Sequence, residues 1–459
     1  MNVGQEKHSP AAASDAGKHR STEGKRNWVF ALLVLLSAGM EVGLREAFYS
    51  GSSEAPSLLL IGSLALLYVV VGGAELRAGP NSSFGRLVSR VALLLAVIVW
   101  GRITWTGGLH VLWLLLAVGG LAAWRLKAVP WMTLSRVTTV AIAVFVFSQP
   151  ILASWRAQDL QWPQSTEAAS AGGAGPHTTV VVLLDELSAT AAGPIADAME
   201  LSGHPVVNRI ISPSGDATGK VVPSLFTGRS FKEAKPCGWH TVCSGSDVLD
   251  VGRIQASRAD MDVVGFYFPY CSIQGLRSCQ VVAPASPYLN LWRWHCAVLW
   301  RSDWLANLDG GATRLGCAER MGQIWATLGR DVESAIWLAP TWTRGGVLYA
   351  HVPWPHPPGE ARGGSLDQHY RDNILKAAQL VGAIAQRLAS NGKSFSLVVF
   401  SDHPLRSHWC TSMLYPKSCL LNAALQDENV PLLVTGNAPP ATDHIKSNME
   451  VFTLIGPTP

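Results

Sequence analysis

Charged residues are almost missing from one long stretch of this 459-residue chain. Positions 28–153 contain 12 Asp, Glu, Lys or Arg residues in 126, whereas soluble domains carry about 25% charged residues. So apolar a stretch favours burial in a lipid bilayer over disorder in water. The composition also excludes a collagen-like chain and a small disulfide scaffold. The net charge of +4 is too small to indicate nucleic-acid binding.

Five segments in this stretch approach the length of a membrane helix, roughly 17–25 residues. They are residues 28–44, 57–73, 91–106, 109–124 and 137–155. The flanking lysines and arginines predict the orientation, because cytoplasmic loops carry an excess of these residues. Eleven lie in the N-terminal tail and after the second and fourth spans, against three on the other side. The sequence therefore predicts a cytoplasmic tail (1–27), a transmembrane domain (28–155) and an extracytoplasmic remainder.

The eight cysteines all lie in the part predicted to be exported, at or after Cys237. An even number confined to that part fits an oxidising compartment. The cysteines alone leave many pairings open. Proximity in the sequence favours the pairs Cys237–Cys243, Cys271–Cys279, Cys296–Cys317 and Cys410–Cys419.

The character of the sequence changes after the last predicted span. Residues 156–177 are rich in Ala, Gly and Ser and predict a flexible linker. Within residues 178–459, apolar β-branched runs at 179–184 and 395–400 predict strands buried on both faces. A helical pattern covers 366–389. This alternation predicts an α/β domain with a mainly parallel sheet.

Polar side chains directly follow the two strongest predicted strands. Asp185 follows the first strand, and Asp402 and His403 follow the second. Ligands of parallel sheets bind beyond the carboxyl ends of the strands, so we expect these groups to converge. Taken alone, either aspartate is more typical of a helix N-cap. Together, carboxylate oxygens and an imidazole nitrogen predict a divalent metal site, for zinc or manganese.

Four short motifs occur in a characteristic order. The first is the strand that ends at Asp185, and the second is Thr218, nine residues before Thr227-Gly228. The third is the histidine–proline segment 349–358, and the fourth is Ser401-Asp402-His403. In this combination the chain resembles the alkaline phosphatase and sulfatase superfamily over roughly residues 178–455. The resemblance implies a sulfatase-like catalytic domain.

A threonine at the nucleophile position is similar to that of lipoteichoic acid synthases and lipid A phosphoethanolamine transferases. Those membrane-anchored enzymes also place about five membrane helices before an extracytoplasmic catalytic domain. The resemblance implies that Thr218 is the nucleophile. It implies Asp185, Asp402 and His403 as metal ligands, with Glu186 as a further acidic ligand.

Three other residues are candidates for contact with the substrate. The resemblance implies that His351 and His356 bind substrate phosphate or transfer protons, although both also fit a structural role in a proline-rich loop. Lys220 is our own inference, from its positive charge near Thr218. Two positions depart from the family pattern: Pro404 stands where glycine is usual, and Val222 where sulfatases have arginine.

The predicted function is that of a multi-pass protein of the plasma (inner) membrane with a periplasmic catalytic domain. We expect it to transfer a phosphoethanolamine- or phosphoglycerol-type group from a phospholipid to an envelope glycan or glycolipid through a phospho-threonine. One alternative is a sulfatase-like hydrolase of phosphate or sulfate esters, although Thr218 disfavours ordinary sulfatase maturation. The other is a catalytically inactive envelope protein for binding or assembly, which Pro404 and Val222 keep open.

Overall fold

The computed structural model describes residues 160–161, 177–238, 240–256, 258–282, 312–357, 365–407, 409, 425 and 427–455. The predicted tail and transmembrane domain lie outside these residues. All of the described residues belong to one of two units of the chain, the one that includes Leu152–Pro459. Within the described ranges, no helix combines the length and the apolar character needed to span a membrane.

The regular elements of the described chain are strands and α-helices, with short 3₁₀ segments between some of them. The strands are β1 (Leu160–Gln161), β2 (Thr178–Asp185), β3 (Val207–Ile211), β4 (Lys235–Pro236), β5 (Thr241–Ser244), β6 (Asp247–Asp250), β7 (Ile254–Gln255), β8 (Met261–Gly265), β9 (Ser278–Val281), β10 (Gly346–Pro355), β11 (Phe395–Ser401) and β12 (Val430–Gly436). The helices are α1 (Gly193–Met199), α2 (Thr218–Thr227), α3 (Ala312–Leu338), α4 (Thr341–Arg344) and α5 (Leu366–Ser390).

A seven-stranded sheet with the order β3-β12-β11-β2-β10-β8-β9 forms the centre of the domain. The five strands from β11 to β9 are parallel to their neighbours, and only the pairings of β12 with β11 and β3 are antiparallel. This confirms the predicted α/β class and mainly parallel sheet. The strands β4, β5 and β6 form a separate three-stranded antiparallel sheet.

The central strand β2 is buried along all eight of its residues, which explains its continuous apolar sequence. Alternate side chains of β2 point to opposite faces of the sheet. Val180, Val182 and Leu184 pack into one apolar layer together with α1, α3 and α5. Val181 and Leu183 pack into the other, together with α2 and the 3₁₀ segment Asn448–Ile455. The domain is therefore a three-layer sandwich.

Helix α5 begins and ends where its sequence predicts. The Ser365 hydroxyl caps the helix by accepting a hydrogen bond from the Gln368 N–H at 3.2 Å. Gly392, just past its C-terminus, has φ +60°, a conformation that glycine adopts without strain.

Inside the predicted linker, the short strand β1 pairs in parallel with β7.

Two disulfides of the described chain join cysteines that are close in sequence. Cys237–Cys243 links β5 to the residue after β4, and Cys271–Cys279 links the 3₁₀ turn Tyr270–Ser272 to β9. Two of the four predicted pairs are thus confirmed. The other two include residues outside the described ranges.

Candidate active site

The parallel pairing of β2 with β11 brings two distant acidic residues together. Ser401 lies beside Leu184 in the sheet, so Asp402 and Asp185 both follow at the same edge. The Ser401 hydroxyl donates to the Leu184 carbonyl at 2.9 Å and accepts from the Leu187 N–H at 2.8 Å. The serine of the Ser-Asp-His motif therefore joins the two strand ends.

Asp185, Asp402 and His403 form a buried cluster in which one ligand atom from each residue lies within 4.8 Å of the others. His403 Nε2 lies 3.3 Å from Asp402 Oδ2 and 3.9 Å from Asp185 Oδ1. The side chains of Asp402 and His403 are fully buried, and Asp185 is almost so. The structure therefore brings together three of the predicted metal ligands.

The tautomer of His403 follows from its contact with the next residue. His403 Nδ1 lies 3.1 Å from the Pro404 carbonyl oxygen, and a carbonyl only accepts. The Nδ1 atom therefore carries a hydrogen, and in the neutral ring the lone pair lies on Nε2. Nε2 is buried and makes no hydrogen bond within the described chain. An imidazole held in this way is the usual arrangement for a metal ligand.

Thr218, the first residue of α2, directs its hydroxyl into the cluster. Its Oγ1 donates to Asp402 Oδ2 at 2.6 Å and lies 3.4 Å from Asp185 Oδ1. The preceding Ala217 provides no side-chain cap, so the positive end of α2 lies next to Thr218. The geometry thus places the Thr218 hydroxyl against two carboxylates that lie at the ends of β2 and β11.

The cluster carries more negative charge than its burial tolerates. Burial, followed by repulsion from Asp402 and Glu186, raises the pKa of Asp185 well above its ordinary value. Burial also opposes ionisation of Asp402, but His403, Thr218 and the Glu186 N–H hold its pKa below the ordinary value. Buried charges are normally paired or bound to metal. Two carboxylates around a lone imidazole nitrogen therefore fit a divalent metal ion.

Glu186 lies beside the cluster, but its carboxylate contacts other groups. Oε1 accepts from Arg406 Nε, and Oε2 accepts from Trp409 Nε1 at 2.8 Å. Its φ of 67° is strained for a residue other than glycine. The Glu186 N–H donates to Asp402 Oδ1 at 3.0 Å, so its backbone supports the site directly. Its role as a ligand stays a prediction.

His351 lies in β10 beside Leu183 of β2, two residues before the strand ends at Asp185. Its Nδ1 is 2.8 Å from the hydroxyl of Tyr270, while its Nε2 is buried without a hydrogen bond in the described chain. Burial lowers the pKa of His351 to about 4, so the ring is neutral at pH 7. A neutral ring serves as a hydrogen-bonding group rather than a cation.

The other two predicted substrate contacts are placed differently. The ring of His356 stacks on Trp325, with centroids 4.3 Å apart, and meets the edge of Trp409 at 5.0 Å. Lys220 Nζ lies 2.8 Å from Asp216 Oδ1, one turn earlier, in a half-exposed ion pair. The roles of His356 and Lys220 in binding stay predictions.

Residues that sequence reasoning missed also support the site. Arg406 and Trp409 follow the Ser-Asp-His motif closely, so a charged and aromatic cluster after a strand end was an available signal. Tyr370 donates to the Glu186 carbonyl at 2.8 Å and accepts from the Ser188 N–H at 3.0 Å. Tyr370 carried no local signal, because its helix is distant from β2 in sequence.

No protein-family model and no curated protein matches this chain. Among solved structures, it is similar to the integral membrane lipooligosaccharide phosphoethanolamine transferase A of Neisseria meningitidis, with 11% identity and a TM-score of 0.38. That match covers 93% of this chain and 82% of the other. The C-terminal periplasmic domain of EcEptC from Escherichia coli has 12% identity and a TM-score of 0.36, over 64% and 86% of the two chains.

A third similar structure is a protein of the alkaline phosphatase superfamily from Vibrio parahaemolyticus. It has 11% identity and a TM-score of 0.31, over 68% of this chain and 75% of the other. The superfamily named for that structure is the one that the sequence motifs resemble.

Proposed function

We propose that this chain is a metal-dependent phosphotransferase with Thr218 as its nucleophile. It moves a phosphoethanolamine- or phosphoglycerol-type group from a phospholipid to an envelope glycan or glycolipid. The observation that carries the proposal is the Thr218 hydroxyl, which lies 2.6 Å from Asp402 Oδ2 in a buried cluster with Asp185 and His403. A hydroxyl is a weak nucleophile at neutral pH and requires such an environment.

The reaction proceeds in two balanced steps. Thr218 Oγ1 bonds to the phosphorus of the donor, and the bond from phosphorus to the diacylglycerol oxygen breaks. Asp402 Oδ2 is within hydrogen-bond distance of the Thr218 hydroxyl and takes its proton, which then passes to the departing diacylglycerol oxygen. An acceptor hydroxyl next attacks the phospho-threonine, and its proton returns to Oγ1 as the threonine–phosphorus bond breaks.

Asp185, Asp402 and His403 would hold the metal, and their donor set suits either zinc or manganese. When bound, the metal neutralises charge on the transferring group and favours the alkoxide of Thr218. The Pro404 carbonyl orients the His403 ring for this role. All three side chains are buried.

We also propose that His351 contacts the substrate phosphate through Nε2. Because His351 is neutral at pH 7, it contributes a hydrogen bond rather than charge. His356 and Lys220 are further candidates for the same surface. In this proposal the catalytic domain lies on the periplasmic side of the inner membrane, whose phospholipids can serve as the donor.

The experiment uses the full chain purified in detergent, in wild-type form and as Thr218→Ala. Thr227→Ala is the matched control, because Thr227 ends the same helix and its hydroxyl donates to the Pro223 carbonyl. Each protein is incubated with phosphatidylethanolamine or phosphatidylglycerol. Mass spectrometry detects an adduct on Thr218, and elemental analysis measures zinc and manganese.

We expect bound metal and a Thr218 adduct in the wild type and in Thr227→Ala. Thr218→Ala should give no adduct and lose at least a hundredfold in diacylglycerol release, the scale on which removal of a nucleophile acts. An adduct that water alone removes at full rate would favour the hydrolase alternative. Equal activity in Thr218→Ala and wild type, or neither metal nor adduct in the wild type, would overturn the proposal.

A further inference from the structure

Asn448 joins the two segments that carry Thr218 and Asp402. It is fully buried at the start of the 3₁₀ segment Asn448–Ile455. Its Oδ1 accepts from the Ser214 N–H at 2.9 Å, four residues before Thr218. Its Nδ2 donates to the Ser401 carbonyl at 3.2 Å and to the Asp402 carbonyl at 2.5 Å.

The backbone next to Asn448 strengthens the same connection. The Asn448 N–H donates to the Ser212 carbonyl at 3.1 Å, and the Ser212 N–H donates to the Lys446 carbonyl at 3.0 Å. Ser212 and Ser447 also form an isolated parallel bridge. The segment before Thr218 is therefore held at two places: at Ser212 by backbone pairing, and at Ser214 by the Asn448 side chain.

The strand order shows why such a bridge matters. The chain reaches Thr218 from the edge strand β3, whereas Asp402 follows β11, and β12 lies between those two strands. The separation between the nucleophile and its acceptor thus depends on contacts outside the direct β2–β11 pairing. The Asn448 amide bonds to both sides at once.

Asn437 provides an internal comparison at the opposite end of β11. Its Oδ1 accepts from the Phe395 N–H at 2.7 Å, and its Nδ2 donates to the Lys393 carbonyl at 3.2 Å. Asn437 thus bonds to backbone groups at the start of β11, as Asn448 does at its end. Of these two asparagines, Asn448 is the one that bonds to Ser214, four residues before Thr218, and to Asp402.

We propose that Asn448 is a positioning residue that holds the Thr218 hydroxyl at hydrogen-bond distance from Asp402. This inference rests on the proposed function. A displacement of about 1 Å in an active site can cost roughly a hundredfold in rate, although the displaced groups remain present. Loss of the Asn448 bridge should therefore lower kcat more than it weakens metal binding, because the three ligands lie on the paired ends of β2 and β11.

The test compares Asn448→Asp and Asn448→Ser with Asn437→Asp and Asn437→Ser in the full chain. Asn448→Asp keeps the acceptor for Ser214 but points an oxygen at the Ser401 and Asp402 carbonyls. Asn448→Ser leaves space for water and serves if the aspartate variant does not fold. The readouts are kcat and KM with whichever of phosphatidylethanolamine or phosphatidylglycerol labels Thr218, zinc affinity by chelator competition, and thermal unfolding.

We expect kcat to fall roughly 10- to 100-fold in the Asn448 variants, with zinc binding and KM largely retained. The Asn437 variants should unfold at a lower temperature but keep the wild-type kcat. Equal kcat values across both pairs, or a loss confined to zinc affinity, would overturn the role of Asn448. A wild type that neither binds zinc nor labels Thr218 would instead overturn the proposed function, and this inference with it.

Discussion

At the scale of single residues, the departures from the family motif have local explanations. Pro404 stands where glycine is usual, and its carbonyl accepts a hydrogen bond from His403 Nδ1. Proline lacks an N–H but keeps its carbonyl, so the substitution preserves this contact. The missing arginine at Val222 is a different case, because Val222 is buried among apolar residues of α2 and its neighbours. A cation at that position would need a partner in an apolar layer.

Glu186 illustrates how a residue can matter through its backbone. Its carboxylate is neutralised by Arg406, whose pKa is raised by Glu186 and Asp185 in spite of burial. The anchored side chain holds the left-handed backbone that directs the Glu186 N–H to Asp402. The strained backbone conformation of Glu186 therefore supports the site by placing this N–H against Asp402.

The buried His351 predicts a pH dependence of stability. Its pKa is about 4 in the folded protein, against about 6.5 in an unfolded chain. The unfolded state thus binds the proton first, so stability is full above pH 6.5 and falls as the pH drops toward 4. The difference is on the order of 3 kcal/mol.

His351→Gln removes this titration, and Gln still offers Tyr270 a hydrogen-bonding partner. Between pH 7 and pH 4.5, we expect the free energy of unfolding to fall by about 2–3 kcal/mol more in the wild type than in His351→Gln. Urea unfolding followed by tryptophan fluorescence measures both. Parallel losses in the two proteins would show that His351 does not titrate as described.

At the scale of elements, the register of parallel strands decides which groups meet. The β2–β11 pairing places two strand ends level, whereas His351 lies within β10, level with Leu183. Helix α2 then delivers Thr218 from another layer of the sandwich. The site is therefore assembled from elements that are each stabilised by their own apolar face.

The disulfide Cys271–Cys279 predicts a stability effect at this scale. It holds the turn that carries Tyr270 against β9, and it closes a loop of sequence separation 8. A disulfide that closes a short loop adds about 2 kcal/mol to the free energy of unfolding, because it restricts the unfolded chain. We expect Cys271→Ser with Cys279→Ser to lower the free energy of unfolding by about that amount.

Cys237→Ser with Cys243→Ser is the matched control, with a sequence separation of 6 in the small sheet. This double substitution should lower the free energy of unfolding by a similar amount. It should not change how the free energy of unfolding depends on pH. Urea unfolding at pH 7 and pH 4.5 measures both pairs. A Cys271–Cys279 pair whose removal costs no stability would contradict the expectation.

At the scale of the whole molecule, orientation in the membrane is the central prediction. The positive residues predict that tail 1–27 lies in the cytoplasm and that residues after 155 lie outside it. The two disulfides of the described chain fit an oxidising compartment on that side. Both arguments therefore predict the same orientation.

Protease treatment of spheroplasts tests the orientation directly. With a tag at each end, we expect loss of the C-terminal tag and protection of the N-terminal tag. Both tags should be lost after detergent lysis, which controls for intrinsic resistance. Protection of the C-terminal tag in spheroplasts would contradict the predicted topology and the periplasmic site.

The sequence by itself determined the α/β class, the positions of β2, β11 and α5, and two disulfides. These follow from local patterns of burial, helix caps and cysteine spacing, which act over a few residues. The motif residues Asp185, Thr218, Asp402 and His403 were also identifiable from the sequence. Only the tertiary structure decided how they meet.

The tertiary structure also decided which supporting groups surround the site. The partner of Glu186 is Arg406, and the bridge between Ser214 and Asp402 is Asn448. These contacts join residues about 50 to more than 200 positions apart, where local pattern carries no information. They depend on strand order and on the loops that cross it, because a buried polar group must find its partner wherever the packed chain provides one.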